Sequence, residues 1–347
     1  MGQWGNGAMG QWGNEAMRQY CVVATALRSL QLIPSIALAP EPTPISDLTR
    51  LRAALGPNCP RLLMKRDDLI SFGQGGNKVR KMQTVAAEAQ KAGATVLITC
   101  GGVQSNHARV TAAVGAVLGM QVVLVANGAP QSLVTGNARL DALYGAHVRY
   151  VAARDARVPA MDMAAAEART TGGHPFIVPL GASTPLGAMG FARGIEELAA
   201  SPHRPTAIVH ATSSGGTQAG IIMGCALFGL KAQIIGVSAD DPAAALSATI
   251  TELLLGAAVQ LGAVPATIGA DAPAIVDDTF VGDGYGIATP ASIEATVLLA
   301  RTEGILLDPV YTAKAMAGLI ARVRGGAWTS GDTVLFWHTG GVPGYFA

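Results

Sequence analysis

Short apolar runs alternate with longer stretches of helical period along most of the chain. The runs at residues 95–99, 121–126, 147–152 and 176–179 predict buried strands, and the segments 82–91, 108–118, 133–144 and 160–170 between them predict helices. The rhythm resumes with strand-like runs at 206–210, 233–237 and 333–337, separated by helical stretches ending at Leu227, over 243–261 and 290–304, and ending at Arg324. Alternation of this kind predicts an α/β fold of two domains, each an open, mostly parallel, twisted sheet flanked by helices. Residues 181–187, Gly181-Ala182-Ser183-Thr184-Pro185-Leu186-Gly187, break the rhythm and predict a crossing between the lobes. Upstream, residues 40–44 are punctuated by proline, and 45–55 predict an amphipathic helix capped by Ser46 or Asp47. The apolar run from Arg61 ends in Lys65-Arg66-Asp67-Asp68, as a strand does at a solvent edge or a site, with the two aspartates expected to fix the glycine loop that follows.

Length supports two lobes, since 347 residues exceed the roughly 250–300 at which single cores tend to split. Half the residues are apolar and only 14% are charged, yet no uninterrupted apolar window of about 18 residues occurs, so a soluble protein with an extensive subunit interface is expected rather than a membrane protein. A net charge of +1 gives no reason to expect nucleic acid as a partner. Cys21, Cys59, Cys100 and Cys225 form no CxxC pair and the histidines show no HExxH spacing, which predicts a cytoplasmic, reducing location and no metal site. An octamer at 1–8 recurs almost identically at 9–16; it is too short and glycine-rich to bury a core and reads as an added leader or a loose arm. Arg28 and Gln31 interrupt the apolar run of 21–39, against a secretory signal.

Three glycine loops hold the candidate chemistry. Gly75-Gly76-Asn77-Lys78-Val79-Arg80-Lys81 places an amine beside permissive backbone, although basic clusters at helix starts are usually solvated surface. Cys100-Gly101-Gly102-Val103-Gln104-Ser105-Asn106-His107 joins a strand to a helix, where open α/β sheets put ligands. Thr212-Ser213-Ser214-Gly215-Gly216-Thr217 does the same and offers backbone N–H groups and hydroxyls to a phosphate. Neither a Walker lysine nor GxGxxG accompanies these loops, which argues against nucleotides. A phosphate loop plus a lysine in a separate loop points to pyridoxal 5′-phosphate, whose aldehyde bonds an amine and whose ring takes up carbanion electrons.

Six strings in order, Lys65-Arg66-Asp67-Asp68, the Gly75 to Lys81 stretch, Gln104-Ser105-Asn106-His107, Ser214-Gly215-Gly216-Thr217, Asp308-Pro309-Val310-Tyr311-Thr312 and His338-Thr339-Gly340-Gly341, resemble the D-cysteine desulfhydrase and 1-aminocyclopropane-1-carboxylate deaminase family of fold type II pyridoxal-phosphate enzymes. The likeness runs from about Ile33 to the C-terminus. It implies that Lys78 joins the cofactor, Asn77 bonds its 3′ oxygen, Lys81 and Ser214 to Thr217 take its phosphate, and Thr339 faces the pyridine nitrogen. It further implies that Ser105, Asn106 and His107 bind the substrate carboxylate end and that Tyr285 and Tyr311 flank the substrate, with Lys78, Ser105, Tyr285 and Tyr311 as the catalytic set. Ser105 and Asn106 also read as a helix cap, His107 as a helix-start residue rather than a base, the tyrosines alternatively as core aromatics, and Arg80 has no evident role.

The resemblance also implies a homodimer and a domain division into an arm (1–32), a large cofactor-binding domain (33–82 and 186–347) and a small domain (83–185). Its deaminases typically carry Gln and Glu where this chain has His107 and Thr312, so β-elimination is expected: D-cysteine to pyruvate, hydrogen sulfide and ammonia. Cyclopropane ring opening or removal of sulfite from L-cysteate are the alternatives within the family, with racemisation or non-catalytic cofactor binding further off. Ala313 and the Ser183-Thr184-Pro185 wording depart from the family pattern at positions that bear on substrate preference.

Overall fold

The computed structural model describes residues 7–39 and 41–347. A first helix, α1 (Gly7–Leu32), is followed by β1 (Ile45–Asp47), α2 (Thr49–Leu55), β2 (Arg61–Arg66) and α3 (Asn77–Lys91). Next come β3 (Val96–Gly102), α4 (Asn106–Leu118), β4 (Gln121–Asn127), α5 (Gly136–Leu143), β5 (His147–Val151), α6 (Arg157–Thr170) and β6 (Pro175–Ile177). The rest of the chain is α7 (Pro185–Ala200), β7 (Ala207–Thr212), α8 (Gly216–Phe228), β8 (Gln233–Ser238), α9 (Ala243–Leu261), β9 (Ile275–Asp277), α10 (Pro290–Glu303), α11 (Thr312–Arg324) and β10 (Thr333–His338).

The strands form a six-stranded sheet in the order β1-β2-β10-β7-β8-β9 and a four-stranded sheet in the order β5-β4-β3-β6. Every pairing is parallel except β1 with β2. Apolar side chains on both faces of the large sheet explain the unbroken hydrophobic runs: Met64, Val209 and Phe336 pack towards α10 and α11, and Leu63, Ile208 and Leu335 towards α7 and α8. The small sheet is covered likewise, with Leu97 and Leu124 against α3 and α4, and Ile98 and Val125 against α6.

The strand orders fix where a ligand can enter. In the large sheet β7, β8 and β9 proceed one way while β10 lies on the other side of β7; in the small sheet β3, β4 and β5 proceed one way while β6 lies on the other side of β3. Each is a topological switch, and the chain parts beyond the carboxyl ends of the central strands to leave a crevice. Loops from both crevices line one common pocket.

Three local expectations differ from the structure. Residues 45–55 are not one helix: Ile45–Asp47 pair antiparallel with Leu63 to Lys65, and the helix begins at Thr49 with no side-chain cap. Pairing to the sheet edge outweighs the capping potential of Ser46 and Asp47. A short strand at Ile275–Asp277 closes the other edge where a loop was expected from Asp277. The leader reading of the N-terminal repeat falls partly outside the described residues; from Gly7 the chain is α1, whose Ala26 and Leu30 are buried against Met189, Met223 and Leu254. Among the described residues one helix, α9, is long and apolar enough to cross a membrane, and it buries Leu246, Ile250, Leu253, Leu254, Ala257 and Leu261 within the protein.

Candidate active site

Gly76 sets the position of the loop that precedes α3. Its φ of 99° suits glycine, and a Cβ there would lie 2.8 Å from the Thr339 carbonyl oxygen. The Gly76 N–H donates to Asp67 O (2.8 Å) and the Asn77 N–H to Thr339 O (3.1 Å), which clamps the loop between the ends of β2 and β10. Helix α3 begins at once, so Lys78 occupies its first turn and lines the cleft. Burial pushes the Lys78 amine down to about 8, with a hydrogen bond to Lys81 acting in the opposite direction. Lys81 is also depressed, first by burial and then by the Lys78 charge. A lysine in this state supplies free amine near neutral pH, which attack on an aldehyde requires.

The second half of the site forms where β7 runs into α8. Ser213, Ser214 and Gly215 line the cleft and lead into the N-terminus of α8, the end of a helix that favours an anion. Ser183 ties this turn to Lys81: its Oγ lies 2.9 Å from Lys81 Nζ and 2.7 Å from Ser214 Oγ, and it accepts from the Gly216 N–H (3.3 Å). Lys81 also donates to Gly181 O (3.1 Å). Packing is so close that a Cβ on Gly216 would lie 2.7 Å from Ser183 Oγ and 2.9 Å from Lys81 Nζ. Gly216→Ala is therefore expected to displace Lys81 and weaken phosphate-bearing cofactor by about tenfold while the fold persists, read as a higher Kd in a titration of apoprotein.

Between these loops lies a narrow cleft lined by Asn77, Lys78, Asn106, Thr217, Tyr311 and Thr339 among others. Asn77 Nδ2 donates to Thr217 Oγ1 (2.8 Å), joining the two glycine loops, and Thr212 Oγ1 is buried on the wall with no partner among the described residues. His338 holds the opposite loop, its Nε2 on Leu306 O (2.9 Å) and its Nδ1 accepting from the Gly340 N–H (3.2 Å). A flat ring with a phosphate at one end and an aldehyde at the other matches this donor set: hydroxyls and helix N–H groups at one side, a poised amine at the other.

A wider pocket opens from Lys78 towards the small sheet and includes Ser105, His107, Tyr285 and Tyr311. Ser105 caps α4, its Oγ accepting from the Ala108 N–H (3.2 Å). Asn106 Oδ1 accepts from Asn137 Nδ2 (2.8 Å) and Arg109 Nη1 (3.2 Å), and Arg109 Nη2 donates to Gly75 O (2.8 Å), so α4 is linked to the lysine loop. His107 Nε2 lies 2.8 Å from Thr99 Oγ1, which itself donates to Val178 O (2.7 Å). Burial, then the Lys78 and Lys81 charges, hold His107 well below the usual histidine range, so the ring is neutral.

The two phenols meet, Tyr285 OH lying 2.5 Å from Tyr311 OH, with their rings edge to face. Both are pushed up, burial being the main cause, and so keep their protons at neutral pH. Two residues with no assigned role in the sequence position them. Asp308 accepts the N–H groups of Val310, Tyr311 and Thr312 (3.1, 3.0 and 2.8 Å). Lys314 Nζ donates to Val281 O (2.7 Å) and Gly284 O (2.8 Å), holding the loop that carries Tyr285.

Thus the cleft brings together Asn77, Lys78, Ser105, Asn106, His107, Ser214, Gly215, Thr217, Tyr285, Tyr311 and Thr339, with Lys81 and Gly216 directly behind its anion-binding end. Ser183 was legible only as a hydroxyl in a chain break, and Arg154 and Arg157 of the outer wall carried no sequence signal.

Residues 36–340 match the family model described as pyridoxal-phosphate dependent enzyme. The chain is 36% identical over 330 residues to a D-cysteine desulfhydrase of Klebsiella pneumoniae, covering 93% of this chain and 98% of that protein. Among solved structures it resembles an ACC deaminase homologue with a TM-score of 0.85 and 32% identity, over 93% of this chain and 96% of the other. An L-serine ammonia-lyase from Rhizomucor miehei shares the fold alone, at TM-score 0.60 and 17% identity over 86% of this chain and 93% of the other.

Proposed function

The chain belongs to the pyridoxal-phosphate-dependent enzyme family, and on that premise we propose that it catalyses β-elimination on D-cysteine, giving pyruvate, hydrogen sulfide and ammonia. The observation that carries this reading is the placement of the Lys78 amine, with its value near 8, between a phosphate-sized cradle and a pocket closed by the Tyr285–Tyr311 hydroxyl pair. Pyridoxal phosphate supplies an aldehyde for covalent attachment and a ring that accepts the electron pair left on the substrate's α-carbon.

In this reading Ser214, Gly215, Gly216 and Thr217 would hold the phosphate with the Lys81 charge behind them, Asn77 would hold the ring oxygen, and Thr339 the ring nitrogen. A hydroxyl at the nitrogen does not keep it protonated, which favours loss of a β-substituent over prolonged charge delocalisation. Ser105 and Asn106, at the N-terminus of α4, bind the substrate carboxylate with helix N–H groups. Lys78 Nζ takes the α proton. The Cβ–S bond then breaks with its electron pair moving to sulfur, and the Tyr285–Tyr311 pair, protonated at neutral pH, delivers a proton to the leaving sulfide. One water is consumed as pyruvate and ammonia form.

Two positions support elimination over ring opening. Thr312 is turned inward, its Oγ1 2.7 Å from Asp308 Oδ1, and His107 is tied to Thr99, so neither position presents the amide or the carboxylate that the deaminases carry there. Assays of the purified enzyme with D-cysteine, L-cysteine, L-cysteate and aminocyclopropane carboxylate, following pyruvate, sulfide, sulfite and 2-oxobutyrate, test the reading. Sulfide and pyruvate in equal amounts from D-cysteine are expected; faster release of 2-oxobutyrate from the cyclopropane substrate would replace it with the deaminase. The proposal extends to a cytoplasmic location and to a homodimer, the latter supported by Ile293 and Val297, which stand exposed one turn apart on α10.

A further inference from the structure

Arg109 of α4 is 1% exposed, and its hydrogen bonds all go to neutral oxygens: Nη1 to Asn106 Oδ1 (3.2 Å) and Asn137 Oδ1 (3.0 Å), Nη2 to Gly75 O (2.8 Å). Burial pushes the guanidinium down to about 10, with Tyr144, Asp141 and Asp308 acting the other way, so at neutral pH it is charged and only donates. Any atom that faces it must therefore accept. For an amide side chain this settles which end is oxygen and which is nitrogen.

Asn137, the second residue of α5 and fully buried, is fixed at both ends. Its Oδ1 meets Arg109, and its Nδ2 donates to Asn106 Oδ1 (2.8 Å) and to the Gln104 carbonyl oxygen (2.8 Å), which can only accept. Asn106 Oδ1 thus receives two donors from behind the cleft, and turning that amide over would set its own N–H groups against both. Its Nδ2 is left for the cleft. A Cβ on Gly341 would lie 2.9 Å from this nitrogen, beside Thr339 and Gly340 of the wall, and no acceptor meets it among the described residues. Asp308 borders the same glycine, but its two oxygens accept from the Val310, Tyr311 and Thr312 N–H groups.

We propose that Arg109 and Asn137 are positioning residues that together hold the Asn106 amide with its N–H groups towards the ligand, so that this end of the cleft selects a carboxylate. This rests on the reading that the site takes amino acids with their carboxylate at the N-terminus of α4. Neither residue lines the cleft or the wider pocket, so both act through Asn106. A carboxylate offers the amide two accepting oxygens, whereas a carboxamide replaces one of them by a donor and carries no charge.

The test uses holoenzyme and two ligands that differ only at that group, alanine and alaninamide, each as both enantiomers, with binding read from the cofactor's visible absorbance. The measure is the preference for alanine over alaninamide within each variant, a ratio in which general loss of cofactor or stability cancels. Wild-type enzyme is expected to prefer alanine, and Asn106→Ala to lower the preference about tenfold, the size of one charge-assisted hydrogen bond. Asn137→Leu changes no charge, and Arg109→Lys keeps the charge without the fork that meets three oxygens. Each is expected to lower the preference about 3- to 10-fold alone and to add nothing alongside Asn106→Ala, the signature of residues acting through one contact. If Asn137→Leu does not fold, Asn137→Ala is read in the same way. An unchanged preference in the Asn137 or Arg109 variant, or losses that multiply in the double variants, would overturn the proposal. So would wild-type enzyme that binds alaninamide as tightly as alanine while D-cysteine still changes the absorbance, a result that leaves the elimination reading intact. No response to any amino acid refutes that reading as well.

Discussion

Replacing Lys78 by alanine is expected to reduce turnover by about 10⁴-fold or more and to remove the absorbance of lysine-bound cofactor. The size follows from the two tasks assigned to one amine, covalent attachment and removal of the α proton. Lys81 cannot take over: its Nζ is held by Gly181 O and Ser183 Oγ, and it lines neither cavity. The same amine gives a pH signature. With its value depressed to about 8, the rate of cofactor uptake by apoprotein rises with pH and levels off above about that value, since only the unprotonated amine attacks. Steady-state assay and stopped-flow absorbance check both parts. A Lys78→Ala protein retaining more than about a tenth of wild-type turnover would require a different base.

The second large effect concerns Asp67 and Arg80, which line neither cavity. Asp67 is fully buried and accepts from Arg80 Nε and Nη2 (both 2.8 Å), Thr43 Oγ1 (2.9 Å) and Trp337 Nε1 (2.8 Å). Arg80 continues to Glu197 Oε1 (2.6 Å), whose Oε2 accepts from Lys65 Nζ (2.6 Å). Two acids and two bases thus close a neutral network joining β2, α3, α7 and β10. Asp67→Ala leaves the buried Arg80 guanidinium with Glu197 as its one carboxylate, shared with Lys65, and is expected to cost about 3–5 kcal/mol, read as a fall in denaturant midpoint. Cofactor affinity should fall too, because Arg80 lies in the same turn as Lys78 and the Asp67 carbonyl holds Gly76.

Acid sensitivity follows with a definite sign. Burial alone would raise the Asp67 carboxyl, but the Arg80 charge and hydrogen bonds hold it below its ordinary 3.8. The unfolded chain therefore takes up this proton at higher pH than the folded one does, so the stabilisation is present above about 4 and is lost as pH falls below it. Asp67→Asn should flatten that part of the stability curve.

What the sequence conveyed and what it did not divides along physical lines. The lysine and phosphate loops were legible because glycines with special backbone needs and hydroxyls at strand ends lie close together in the chain. The role of Arg80 was not, since Glu197 and Trp337 are distant in sequence and only the fold brings them to it. Ser183 escaped for the same reason: its contacts are with Lys81 and Ser214, each in another element. The edge strands Ile45–Asp47 and Ile275–Asp277 were missed because three residues carry no periodicity, and only a paired neighbour makes them strands. Arg157 illustrates a further limit, that one arginine at a helix start means nothing until its pocket exists.

The central claim, that Lys78 is the residue joined to the cofactor, is tested most directly by borohydride reduction of the purified holoenzyme, proteolysis and mass spectrometry. The pyridoxyl group is expected on the peptide containing Lys78, at that lysine. A label on Lys81, on any other lysine, or on none would contradict the account.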